Sequence, residues 1–128
     1  MLPATATVLL VDDDDTLRQE VAAGLVERFD RVLEAPSAEI ALYLCGTHAV
    51  DVVATSALLP GMGADALCSE LSDHAGPPVV AYRVPGEGSG RARWLDAGGA
   101  DCIGGTEPEL VAARCHSVVR RAHAAGAR

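Results

Sequence analysis

Four consecutive aspartates, Asp12 to Asp15, are the densest chemistry in this 128-residue chain. Carboxylate oxygens are the ligands a hard divalent cation prefers, so the run is a candidate cation site. A plainer reading competes with that one. Negative charge is favoured near a helix N-terminus, which suits Asp14 and Asp15, and adjacent carboxylates repel, so at least one needs a partner. Little else offers a metal site. Cys45, Cys68, Cys102 and Cys115 form no C-x-x-C pair, and no histidine stands at metal-ligand spacing. The cysteines therefore read as reduced, mostly buried small apolar residues. All ten basic residues are arginine, and the chain has no lysine. The net charge of −8 excludes nucleic-acid binding through the overall field. Arg114, Arg120, Arg121 and His123 read first as cations near a helix C-terminus, and only second as a contact for an acidic partner or nucleic acid.

These groups must be positioned by the elements around them. Short apolar runs alternate with amphipathic ones. Thr7 to Val11 is a continuous apolar run, the pattern of a strand buried on both faces. A helix follows, with Asp14 or Asp15 as N-cap and Leu17, Val21, Leu25 and Phe29 at helical spacing. Arg31 to Ala35 reads as a second strand. Ser37 caps a helix to about Gly46, and Asp51 to Thr55 reads as a third strand. Pro60 to Gly63 is a loop, and Ala64 to His74 a third helix. Pro78 to Tyr82 is a fourth strand, and the glycine-rich stretch Pro85 to Gly90 a mobile loop. A short helix from about Arg91 to Ala97 precedes a weak fifth strand, Cys102 to Gly104. Thr106 to Glu109 has the S/T-x-x-E form of a capping box. The last helix carries Val111, Cys115, Val118 and Ala122 on one stripe. With four aromatic residues in the chain, the core must be mainly aliphatic.

Five βα units predict a parallel sheet with helices on both faces, in which the site lies at the carboxyl ends of the strands. That rule selects Asp12 and Asp13, Ser56, Arg83 and Gly105. Residues 1–123 read as one domain, and 124–128 as a tail or the start of a linker. No run could span a membrane, and Met1 to Thr7 lacks a signal-peptide pattern, which makes the cytoplasm the expected location.

Val8-Leu9-Leu10-Val11-Asp12-Asp13-Asp14 resembles the opening of a response-regulator receiver domain. Asp51-Val52-Val53, followed by Leu58-Leu59-Pro60-Gly61-Met62, resembles that family's third strand and proline–glycine loop. Ala92 to Asp101 resembles its fourth helix running into the fifth strand. The resemblance covers nearly the whole chain in order. It implies a three-layer αβα sandwich of flavodoxin-like type, with a five-stranded parallel sheet in the order 2-1-3-4-5.

The family's chemistry, as the resemblance implies it, uses an acidic pair that holds Mg²⁺, an acceptor aspartate ending the third strand, and a Thr or Ser ending the fourth. It also uses a lysine after the fifth strand and an aromatic switch within it. The acidic pair is present as Asp12 and Asp13. The acceptor position holds Ser56, the hydroxyl position Arg83, the lysine position Gly105 and the switch position Cys102. Moving the third strand by a residue or two still finds no aspartate between Asp51 and Asp65. A serine hydroxyl has no neighbouring base to activate it, so Ser56 reads as a replacement that removes a buried charge.

The expectation is therefore a phosphorylation-independent receiver-like module. It is not an enzyme, and it works through protein–protein interaction in bacterial signal transduction or transcription regulation. No cofactor is expected; weak residual Mg²⁺ at Asp12 and Asp13 is the alternative. Arg83 is placed either to fold over the vacated pocket and pair with Asp12 or Asp13, or to point into solvent. The alternative function is a sensor for a small ligand in that pocket, where Arg83 would suit an anionic one. Receivers pair through the fourth helix, fifth strand and fifth helix, so a homodimer is expected there. No direct nucleic-acid binding is expected of this domain, though an output domain beyond Arg128 would be in keeping with the family.

Overall fold

The computed structural model describes residues 6–86 and 88–126. Ten elements alternate along it: β1 (Thr7–Val11), α1 (Asp15–Leu25), β2 (Arg31–Ala35), α2 (Ala38–Thr47), β3 (Val52–Ser56), α3 (Ala64–Asp73), β4 (Val79–Tyr82), α4 (Ser89–Asp96), β5 (Asp101–Cys102) and α5 (Pro108–Gly126). The strands form one parallel sheet in the order β2-β1-β3-β4-β5, as the resemblance implies.

The period-2 alternation of the central strands divides the core into two layers. Val8, Leu10, Ala54, Val80 and Tyr82 face α1 and α5, where Val21, Leu25, Val111 and Cys115 meet them. Leu9, Val11, Val53 and Ala81 face the other way, onto Ala41 of α2, Leu67 and Cys68 of α3 and Trp94 of α4. Aliphatic side chains dominate both layers. Three of the four aromatic residues are nevertheless buried, with Tyr82 fully so, while Tyr43 is exposed.

Some boundaries differ from the sequence reading. The helix cap at Asp14 and the one at Ser37 are as expected: each side chain accepts from the amide three residues on, Leu17 at 3.0 Å and Ile40 at 3.3 Å. Asp51 does stand at the amino end of the sheet, where its carboxylate accepts from the Thr7 amide at 2.7 Å. α4 begins at Ser89, earlier than its glycine content suggests, and Glu87 in the preceding loop lies outside the described residues. β5 is shifted to Asp101–Cys102 and is two residues long. α5 starts at Pro108, and Leu110 and Val111 both donate to the carbonyl of Glu107. Glu107, not Thr106, thus occupies the cap position. Ala122 is exposed, and Val119 takes the place expected of it in the core. α5 runs on to Gly126, into the stretch 124–128 that reads as a tail or the start of a linker; residues 1–5, 127 and 128 lie outside the described residues. All four cysteines are free, three of them buried. Among the described residues no helix is long and apolar enough to cross a membrane.

Candidate functional site

Strand register brings three of the side chains at the carboxyl end of the sheet together. Val11 is level with Thr55, and Ser56 with Tyr82. Asp12, Ser56 and Tyr82 therefore stand in a row across β1, β3 and β4. Each is two residues on from one that faces α1 and α5, namely Leu10, Ala54 and Val80, so alternation points all three to that same side. All three are fully buried.

The Tyr82 hydroxyl donates to Asp12 Oδ2 at 2.6 Å. β3 lies between the two strands, so this bond bridges two strand spacings, about 10 Å. The phenol must pass over position 56 to do so, and serine is small enough to let it. Asp12 Oδ1 accepts from the Asp14 amide at 2.9 Å. Both oxygens of this carboxylate are thus committed within the chain. The Tyr82 hydroxyl is pushed well above the ordinary tyrosine range, first by burial and then by the Asp12 carboxylate it donates to.

The remaining aspartates have separate employment. Asp14 caps α1. Arg18, one turn into that helix, donates to Asp15 Oδ1 (2.8 Å), to Glu34 Oε1 (3.0 Å) and to the backbone oxygen of Asp12 (2.7 Å). Asp13 is exposed and makes no hydrogen bond or ion pair among the described residues. The Ser56 hydroxyl accepts from the Leu58 amide at 3.1 Å, which is local loop closure after β3.

Arg83 does not pair with Asp12 or Asp13, contrary to the first of the two sequence readings. Its neighbour Tyr82 holds the alternation position that faces Asp12, and the phenol takes the oxygen a guanidinium would have taken. Arg83 itself is in left-handed backbone (φ 58°), with its amide donating to Gly105 O at 3.0 Å. Its half-buried side chain lines an open surface cavity with Asp14, Thr16, Leu17, Glu20 and Thr106. At Gly105 any side chain would meet the carboxylate of Glu107, so the nearest charge to that position is negative.

Cys102 lies on the opposite face, buried beside Trp94 and Ala81. Its thiol is pushed up by burial and by Asp101. The Trp94 indole donates to Asp101 O at 2.8 Å and covers Gly99, where a Cβ would overlap the ring. Asp101 accepts from the Cys102 amide (2.8 Å) and from Arg114 (3.0 and 3.1 Å), tying β5 to α5.

Two residues of this site, Tyr82 and Arg18, were not singled out in the sequence. Tyr82 did carry a signal. A tyrosine in a strand that reads as buried on both faces must find a partner for its hydroxyl, and carboxylates at neighbouring strand ends are the obvious acceptors. Arg18 carried none, being one arginine among ten on an amphipathic helix.

A parallel sheet in this order, with its acidic corner after β1, is the architecture of a signalling receiver. The chain belongs to the response regulator receiver domain family, whose profile matches residues 8–109. Over 123 residues it is 28% identical to the transcriptional regulatory protein CseB of Streptomyces coelicolor, covering 93% of this chain and 52% of CseB. It spans about half the length of the curated relatives it matches. Among solved structures, the receiver domain of the Francisella response regulator 1452 superposes with a TM-score of 0.83 at 20% identity, covering 92% of this chain and 99% of that one. The chemotaxis response regulator CheY4 of Vibrio cholerae gives 0.78 at 20% identity, covering 90% and 99%. At these identities the solved structures speak for the fold.

The Mg²⁺ that the resemblance implies does not fit the residues present. Such an ion needs several free hard oxygens. Here Asp12 has both of its oxygens engaged, Ser56 offers a hydroxyl already bonded to an amide, and Asp13 stands alone. Among the described residues no three acidic, histidine or cysteine side chains are grouped to hold a metal.

Proposed function

We propose that this receiver domain transmits its signal by binding protein partners, without accepting a phosphoryl group. The observation that carries this reading is Ser56. It ends β3 where the family's chemistry requires a carboxylate, it is fully buried, and its hydroxyl is held by the Leu58 amide. The carboxylate in line with it, Asp12, has its oxygens engaged by Tyr82 and by the Asp14 amide, so no free base stands ready to deprotonate an alcohol there. Supporting it are Gly105, where a side chain would meet the acidic Glu107, and the absence of lysine from the chain. Asp12, Asp13, Ser56, Arg83 and Gly105 then form a degenerate phosphorylation pocket, with Cys102 at the switch position.

The expected output is protein contact within two-component signalling or transcription regulation, as part of a longer regulator of the kind CseB exemplifies. Pairing of two copies through α4, β5 and α5 is one such contact. The half-exposed Leu95 on α4 and the β5–α5 tie through Asp101 and Arg114 support a firm, partly apolar surface there. A small-molecule sensor is the weaker reading, because the cavity beside Arg83 is also lined by Asp14 and Glu20, which repel an anion. Sedimentation of the protein with and without acetyl phosphate and Mg²⁺ tests the proposal. The oligomeric state is expected to be the same in both; a phosphodonor-dependent change would refute it.

A further inference from the structure

We infer that Tyr82 is an internal lock that stands in place of the metal. Its phenol occupies the Asp12 oxygen a cation would need, and it ties the end of β4 to the end of β1 across β3. The inference deepens the proposed function, since it rests on the reading that the pocket no longer works. It adds a cause beyond the missing acceptor. Restoring a carboxylate at position 56 would not by itself restore cation binding, because the phenol would still cover Asp12.

The geometry makes Ser56 and Tyr82 a coupled pair. Both are fully buried, they are level in register on neighbouring strands, and the phenol reaches Asp12 over position 56. An aspartate at 56 would press a second carboxylate against a ring that already donates its only proton to Asp12. Without the phenolic hydroxyl, Asp12 Oδ2 loses its partner and becomes a free, buried, anionic acceptor beside the exposed Asp13. A divalent cation is then the natural replacement partner.

The test uses the full chain in four forms: wild type, Ser56→Asp, Tyr82→Phe and the double variant. Mn²⁺ is titrated and followed by calorimetry and by paramagnetic broadening of the amide resonances of residues 12–15. A hydrogen bond to a charged group carries about a tenfold effect or more. The double variant is therefore expected to bind Mn²⁺ at least about tenfold tighter than Ser56→Asp, with broadening centred on Asp12 and Asp13. Equal affinity in Ser56→Asp and the double variant would overturn the lock. So would failure of the double variant to bind. Should Ser56→Asp not fold, wild type and Tyr82→Phe decide the matter by thermal melts. Mn²⁺ is then expected to raise the midpoint of Tyr82→Phe and leave wild type unmoved, and no rise in Tyr82→Phe overturns the inference. These outcomes are separate from the proposed function, which stands or falls on the response of the wild-type chain to a phosphodonor.

Discussion

The two corners of the carboxyl end of the sheet have met different fates. After β1, the acidic corner is consolidated. Asp12 is held by Tyr82 and by the Asp14 amide, Asp14 caps α1, and Arg18 gathers Asp15, Glu34 and the Asp12 carbonyl. After β4 and β5, the other corner is reduced. Arg83 sits in left-handed backbone without an ion pair among the described residues, β5 is two residues long, and Gly105 presents no side chain. A relic would be expected to loosen everywhere. That Asp12, Asp14 and Asp15 of that corner are instead bonded within the chain, with Asp13 alone left to solvent, indicates that these carboxylates now serve stability in place of chemistry.

If so, damage to the first corner should cost most. Tyr82→Ala removes a fully buried ring together with the partner of a buried carboxylate. Chemical denaturation should show a loss of about 3–5 kcal/mol, as for other aromatic-to-alanine changes in cores. A loss below about 1 kcal/mol would mean the first corner is no firmer than the second.

The same comparison predicts an alkaline weakness. The Tyr82 hydroxyl is raised in the folded state by burial and by Asp12, and the Cys115 thiol is pushed up to about 12 from 9.0, chiefly by burial. The unfolded chain gives up both protons earlier than the folded one. Stability contributed by these groups is complete below about pH 8 and is lost as pH rises through and beyond the ordinary thiol and tyrosine range. Urea midpoints should therefore fall steadily between about pH 9 and 11. Tyr82→Phe should remove the portion of that fall above about pH 10.

On the opposite face, the Trp94 indole lies on Gly99. Gly99→Ala should cost about 1–3 kcal/mol by overpacking and shift the emission of the single tryptophan as the ring moves. An unchanged spectrum would show that this part of the second corner gives way freely.

The smallest effect belongs to Arg83. Left-handed backbone costs an L-residue about 1–2 kcal/mol, and more for a β-branched one. Arg83→Gly should be neutral or gain up to about 1 kcal/mol by thermal melts. Arg83→Thr, which restores the hydroxyl that the family resemblance implies, should lose about 1 kcal/mol. Equal stability of the two would mean that the backbone at 83 is not strained.

The fold was legible because its signals are local and repeated. Continuous apolar runs gave central strands such as Thr7–Val11, and Asp14 and Ser37 gave helix starts. β5 and α4 were read poorly because glycines blur their ends: Gly90 lies in a helical turn and Gly104 outside the strand. The site was half legible. Which residues occupy the strand ends follows from spacing, so Asp12, Ser56 and Arg83 could be placed. What they touch depends on register between strands far apart in sequence. By charge alone, Asp12 or Asp13 is as natural a place for Arg83 as open solvent. A phenol one residue earlier won, because strand alternation aims it at the carboxylate and Ser56 leaves it room.

The central claim is that this receiver carries no phosphoryl group of its own. The direct measurement is the intact mass of the wild-type chain after incubation with acetyl phosphate and Mg²⁺. An unchanged mass is expected. A stoichiometric gain of one phosphoryl group would contradict it.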